Sequence, residues 1–179
     1  GVPPEAIRLF AERIGVAKRN SVVDVQLFEH CIREVLNRTA PRRFAVLDPV
    51  KLVVTNYPEE QVEWFAVPNN PEDPTAGERQ LPFTRELWIE REDVRPEPLP
   101  KYFRLYPGNE VRLRGAYLFT CREVITDPHS GQVVEVRGEI DPQSRGGQAP
   151  DGRRVKATIH WLSCGHAREA EVRLYDYLF

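Results

Sequence analysis

Val111-Arg-Leu-Arg-Gly-Ala-Tyr-Leu-Phe-Thr-Cys-Arg-Glu-Val-Ile-Thr126, then Asp127-Pro-His-Ser-Gly131, then Val133-Val-Glu-Val-Arg-Gly-Glu-Ile140: this stretch decides the fold. It reads as strand, strand, turn and strand, with side chains set in a period of two. Val111 and Leu113 point one way, into a core. Arg112 and Arg114 point the other way, side by side on the outer face.

The same period extends in both directions. Phe44–Leu47, Val50–Thr55, Val62–Val67, Leu87–Glu90, Val155–Leu162 and Glu171–Tyr175 read as further strands. Asp48-Pro49, Pro68-Asn-Asn-Pro71, Pro107-Gly108 and Asp151-Gly152 punctuate them as turns. Short strands with no helical pattern between them predict a mainly β protein of antiparallel barrel or sandwich type. The first forty residues differ. Pro3-Pro4 suits a first helical turn, Ile7, Phe10, Ala11 and Ile14 recur at helical spacing, and Gly15 stops the run. After a polar connector, Ser21 or Asp24 can cap a second helix carrying Leu27, Phe28, Cys31, Ile32, Val35 and Leu36. The expectation is an αα-hairpin over 1–40 followed by β-barrels over 41–179.

Composition narrows the functional classes. The chain has 179 residues and a net charge of −2, so no bulk positive field draws it onto nucleic acid, and any RNA site must be a local patch. No run of about 18 apolar residues is present, so a membrane span is not expected. Cys31, Cys121 and Cys164 are few and widely spaced, as reduced thiols in a cytoplasmic protein are. A chain that opens Gly1-Val2-Pro3, has no methionine, and stops at Leu178-Phe179 is expected to be cut from something longer.

Chemistry concentrates in Lys101-Tyr-Phe-Arg-Leu-Tyr-Pro-Gly-Asn-Glu-Val-Arg-Leu-Arg114. Guanidinium forks and amphipathic rings close together on a β-surface suit unstacked RNA bases: arginine pairs with base edges and phosphates, and rings supply stacking faces. The plain alternative is a solvated strand face. His160, Cys164 and His166 form the one ligand-like cluster, but a structural zinc takes four ligands and His129 and Cys121 lie far back in sequence, so no metal is assigned. His30 and Cys31 are neighbours about 100° apart on a helix and do not pair as base and nucleophile. The carboxylates sit in exposed-looking charged stretches. No catalytic site is expected in this chain.

Longer stretches carry a resemblance. Cys31-Ile-Arg-Glu-Val-Leu-Asn-Arg-Thr-Ala-Pro-Arg-Arg-Phe-Ala-Val-Leu-Asp-Pro-Val-Lys-Leu52 resembles the join between the helical subdomain and the anticodon-binding domain of bacterial glutaminyl-tRNA synthetases. Arg79-Gln-Leu-Pro-Phe83, Leu87-Trp-Ile-Glu-Arg-Glu-Asp93, Glu110-Val-Arg-Leu-Arg114, Asp151-Gly-Arg-Arg-Val-Lys-Ala-Thr-Ile-His-Trp161 and Val172-Arg-Leu-Tyr-Asp-Tyr-Leu-Phe179 resemble the same family, in order.

The resemblance implies part of a class I ligase that joins glutamine to its tRNA using ATP and Mg2+. Its catalytic core, with HIGH-like and KMSKS-like signatures, would precede Gly1; neither signature occurs here. It further implies a two-barrel anticodon-binding domain, incomplete at its C-terminal end, in a cytoplasmic, monomeric enzyme. The partner would be glutamine tRNA, held at its anticodon loop and inner corner. By resemblance Arg42 contacts the middle uridine of the anticodon, Arg104 reads the third-position guanosine, and Arg112 and Arg114 clasp the first nucleotide. Asn37 is a nearby polar contact, while Lys18 and Asp24 lie near the inner corner. Lys101 stands where relatives often have glutamine, which turns a base-edge hydrogen bond into a phosphate contact. Glu72-Asp73 departs from the pattern and is assigned no RNA role. The rival readings are an archaeal or eukaryotic-type glutamyl-tRNA synthetase, a ribosomal-RNA-binding barrel protein, and a protein-interaction module.

Overall fold

The computed structural model describes residues 2–176, which fall into two compact units. One holds the chain up to Arg43 together with Pro68–Arg79; the other holds Phe44–Val67 together with the chain from Gln80 onward.

In the first unit α1 runs Pro4–Ile14 and α2 runs Val25–Thr39, both where the spacing placed them. Phe10 and Phe28 meet edge to face at 5.0 Å, and Arg13 bridges to Glu34 at 2.6 Å. Ala6, Cys31 and Val35 are buried, whereas Ile7, Ile14 and Leu36 of the expected stripes are exposed. Asp24 caps α2, its Oδ1 accepting from the Gln26 amide at 2.9 Å. Asp24→Ala is expected to destabilise this unit by about 1 kcal/mol. Thermal unfolding followed by helical circular dichroism checks it, and an unshifted transition would remove the cap from the account.

The second unit is built on a seven-stranded sheet. Its strands are β1 (Pro49–Val54), β4 (Glu86–Glu90), β5 (Glu110–Leu113), β6 (Leu118–Thr126), β7 (Val133–Asp141), β8 (Thr158–Ile159) and β9 (Leu162–Ser163). Their order is β8-β5-β6-β7-β1-β4-β9, and β2 (Glu63–Pro68) pairs with β3 (Glu78–Phe83) as a separate ribbon. Laid flat, the seven strands would put the sheet edges about 29 Å apart, at roughly 4.8 Å per step. Yet β8 and β9, the two edges, are joined through His160 and Trp161, a link that spans about 10 Å at most. The sheet must therefore curl until its edges nearly meet. The fold is mainly β, half a barrel closed on its own core.

That core is aromatic at its centre. Phe83 is fully buried and meets Tyr57, Trp161, Tyr117 and Phe65 edge to face, at centroid distances of 5.1, 5.1, 5.4 and 5.9 Å. Val50, Leu52, Val54, Leu87, Ile89, Val111 and Leu113 surround the rings.

Several expectations need correction. Two of the sheet's pairings are parallel, β1 with β7 and β5 with β8, so the sheet is mixed. Phe44–Leu47 is not a strand: the Glu90 carboxylate takes the amides of Leu47 and Asp48 at 2.8 and 3.1 Å, bracing a loop. Val155–Leu162 shortens to β8 and the start of β9, because His160 and Trp161 cross from one sheet edge to the other. Glu171–Tyr175 lies outside any strand, with Leu174 and Tyr175 exposed; alternation without a neighbouring strand does not make one. The last three residues of the Val172–Phe179 motif lie outside the described residues.

Candidate nucleic-acid interface

β5 alternates as its sequence requires, with Val111 and Leu113 buried and Arg112 and Arg114 on the outer side. The strand is held in the parallel pair, Arg112 opposite Thr158. Arg112 donates from Nε to the Gly147 carbonyl and from Nη1 to Thr158 Oγ1 at 3.3 Å, so its Nη2 remains for a ligand. Arg114 follows the strand, its amide bonded to the Ile159 carbonyl at 2.9 Å and its carbonyl accepting from Trp161 Nε1 at 3.1 Å. Its backbone is thus fixed at both ends of the peptide. Its guanidinium is exposed and has no partner among the described residues. A rigid mount carrying a free fork is suited to an incoming acceptor.

Arg104 is placed differently. Its Nη1 sits 2.8 Å from Asp93 Oδ1 and 3.2 Å from Glu92 Oε1, which leaves the Nε–Nη2 edge for bidentate contact. Asp93 is 8% exposed at its side chain. Burial pushes its carboxyl up from the ordinary value, and the attraction of Arg104 offsets only part of that. For Arg104 burial works downward, but Asp93 and Glu92 together outweigh it and raise the guanidinium. The pair therefore orients the arginine at a desolvation cost carried mostly by the acid.

Lys101 holds a left-handed backbone, φ 64°, and is exposed on the rim of a hollow of about 490 Å³. Tyr102, Phe103, Tyr106, Arg154 and Lys156 also line that hollow. Lys156 Nζ lies 4.4 Å from the centre of the Phe103 ring, and Arg95 lies 5.4 Å over Tyr102. Cations and rings are interleaved there, as an unstacked nucleotide needs. Arg153, also on the lining, is not free: it binds Glu110 through two nitrogens at 2.9 and 2.8 Å, Asp141 at 2.9 Å and Asp151 at 2.9 Å. It clamps the end of β5 to the 141–153 segment.

In the first unit Asn37 and Arg42 come together at the end of α2. The Asn37 carbonyl accepts from Arg42 Nη2 at 3.0 Å and from the buried Asn70 amide at 3.1 Å, and Asn70 also caps Arg38. Arg42 Nε is buried with no hydrogen-bond partner, a donor aimed at nothing in the free chain. Lys18 is exposed in the connector between the helices, while the Asp24 carboxylate is occupied as the α2 cap. Asp73 is spent locally, accepting from the Thr75 amide and hydroxyl at 2.9 and 2.5 Å.

The family of tRNA synthetases class I (E and Q), anti-codon binding domain, matches residues 40–141. The chain belongs to that family. Relatives match along its whole length. A glutamine–tRNA ligase of Bradyrhizobium diazoefficiens is 59% identical over 179 residues, 100% of this chain and 32% of that protein. One of Xanthomonas campestris pv. campestris is 52% identical over 179 residues, 100% of this chain and 31% of its own length. One of Clostridium kluyveri is 49% identical over 176 residues, 98% of this chain and 32% of its own length. The chain thus spans about a third of the length of these curated relatives.

Within the anticodon-binding domain family, the match takes in Arg42, Lys101, Arg104, Arg112 and Arg114. Arg154 and Lys156 escaped sequence reasoning, because only the parallel pairing of β8 with β5 brings the segment before Thr158 alongside the Arg112 strand. The signal was present in the alternation of Arg154, Lys156 and Thr158, all exposed, with Val155 and Ile159 turned inward. His160 and His166 are taken by other partners: the ring of His160 lies 2.7 Å from the Ala45 carbonyl, and that of His166 lies 2.9 Å from Ser163 Oγ. Among the described residues no group of three His, Cys, Asp or Glu is placed to hold a metal ion, and no helix is long and apolar enough to cross a membrane.

Proposed function

We propose that this chain recognises the anticodon loop of glutamine tRNA on behalf of a glutamine–tRNA ligase. The observation that supports it best is the family match over 40–141, which covers a strand face where two arginines, Arg112 and Arg114, stand together. On this reading Arg112 and Arg114 hold the first anticodon nucleotide, Arg104 presents its free edge to the third base, and Arg42 contacts the middle one. Lys101, Arg154 and Lys156 neutralise backbone phosphate, and Asn37, Lys18 and Asp24 lie towards the inner corner. Residues 1–40 serve as the helical connector and 41–179 as the anticodon-binding domain. ATP and Mg2+ would be used by the rest of the ligase. The whole enzyme is a cytoplasmic monomer on this proposal.

The rival, a glutamyl-type synthetase, differs at the third anticodon base, guanosine for glutamine and cytidine for glutamate. Titration of stem-loops carrying either base therefore separates the two. The guanosine loop is expected to bind more tightly, by about 1–3 kcal/mol, and Arg104→Ala to narrow that gap. Equal loss on both loops, with the salt slope reduced by roughly one, would make Arg104 a phosphate contact instead. Tighter binding of the cytidine loop would favour the glutamyl reading.

A further inference from the structure

Arg112 owes its direction to a loop that its own strand does not contain. Its Nε donates to the Gly147 carbonyl, and its aliphatic stem lies flat on the bare backbone there. A Cβ on Gly147 would fall 2.9 Å from Arg112 Cδ and 3.0 Å from Cγ, so only glycine admits the contact. Gly146 and Gly147 are both left-handed, with φ 86° and 82°. Two consecutive glycines are the least constrained stretch a chain can have, and their carbonyls hold a direction only if the flanks are fixed. Buried Ser144 fixes one flank, accepting from the Leu118 amide at 2.8 Å and donating to the Asp141 carbonyl at 2.6 Å. The Gly146 amide is tied to the Ala116 carbonyl at 2.7 Å.

Arg145 supplies the side-chain anchor. Its Nε donates to Glu63 Oε1 at 2.5 Å, and its guanidinium lies 4.7 Å over the Phe65 ring. Glu63 and Phe65 share the inward face of β2, where a carboxylate is out of place unless fully engaged. Glu63 is engaged: Tyr117 donates to its Oε2 at 2.6 Å. An inward acid thus holds an arginine that sets the entry to the glycine pair, which in turn aims Arg112.

We propose that Glu63 and Arg145 are positioning residues for RNA recognition, acting on the anticodon loop only through the Gly146–Gly147 backbone and Arg112. This rests on the anticodon reading above. It predicts an effect opposite in sign to simple electrostatics. Removing a carboxylate near a polyanion should tighten binding, whereas Glu63→Gln should here weaken it.

The test is a double-mutant cycle on the intact chain, titrated with a glutamine-anticodon stem-loop at fixed salt. Glu63→Gln and Arg145→Ala should each lower affinity about two- to tenfold, the loss of one charge-assisted hydrogen bond, and should add nothing in an Arg112→Ala background. In the RNA-free chain, the Arg112 Nε–H resonance should be protected from exchange and lose that protection in Arg145→Ala. If Arg112→Ala binds as well as the parent chain, the anticodon reading fails. If Arg112→Ala weakens binding but Arg145→Ala costs as much with Arg112 absent as with it present, or Glu63→Gln tightens binding, the positioning role is overturned. Should Glu63→Gln unfold the chain, the exposed Arg145 still decides between these outcomes.

Discussion

Phe83→Ala is expected to destabilise the second unit by about 3–5 kcal/mol, the range for truncating a fully buried aromatic. Phe83 sits on β3 at the meeting point of four rings, and each loses an edge-to-face partner when it is removed. The cavity would open beside Trp161 and Tyr117. Trp161 bonds the Arg114 carbonyl and Tyr117 bonds Glu63, so neither ring can slide inward to fill the gap without breaking a partly buried hydrogen bond. Collapse is therefore resisted, and the cost should fall towards the upper end. Denaturant unfolding read by tryptophan fluorescence measures it. A change below about 1 kcal/mol would mean that the sheet does not close around Phe83 and that the curl is misplaced.

Phe83 also shows where sequence reading stopped. Glu78–Phe83 contains Pro82 and two charged residues and gives no clean alternation, so it does not read as a strand, yet it pairs with β2. A proline is tolerated there because β3 has a neighbour on one side only. The helices were readable because their ends are chemical: Pro3-Pro4 and Gly15 bound the first, and Asp24 opens the second. The strands at Glu110–Leu113 and Val133–Asp141 were readable because buried residues alternate with more exposed ones along them. What no local pattern holds is which strand lies beside which. Alternation in Val50–Thr55 gives a strand but not its parallel pairing with β7, and alternation in Glu171–Tyr175 gives nothing without a partner.

The site divides along the same line. The shared face of Arg112 and Arg114 follows from spacing alone. The pairing of Arg104 with Asp93, the commitment of Arg153 to Glu110 and Asp141, and the dependence of Arg112 on Gly147 all join residues more than ten positions apart. An arginine count treats these residues as equal. Among the described residues the fold sorts them into one already spent, two partly held and one without a side-chain partner.

That sorting sets the largest functional prediction. Arg112→Ala and Arg114→Ala should each weaken binding of the glutamine-anticodon stem-loop by about 1–3 kcal/mol, and the pair together by about 2–4 kcal/mol, near 30- to 1,000-fold. Full additivity is not expected, because side chains two residues apart on one strand face share a ligand. The two should differ in what else they change. Arg114 has no intramolecular partner among the described residues, so Arg114→Ala should leave the unfolding transition where it is and act on RNA alone. Arg112→Ala removes two hydrogen bonds to neighbouring segments and should lower stability as well. Arg114→Lys then separates base reading from charge. A lysine keeps the charge but loses the planar fork, so it restores affinity if Arg114 meets a phosphate and fails to if Arg114 grips a base edge. Unchanged affinity in both alanine variants, with both chains folded, would leave the two arginines as solvated strand residues and take the anticodon pocket with them.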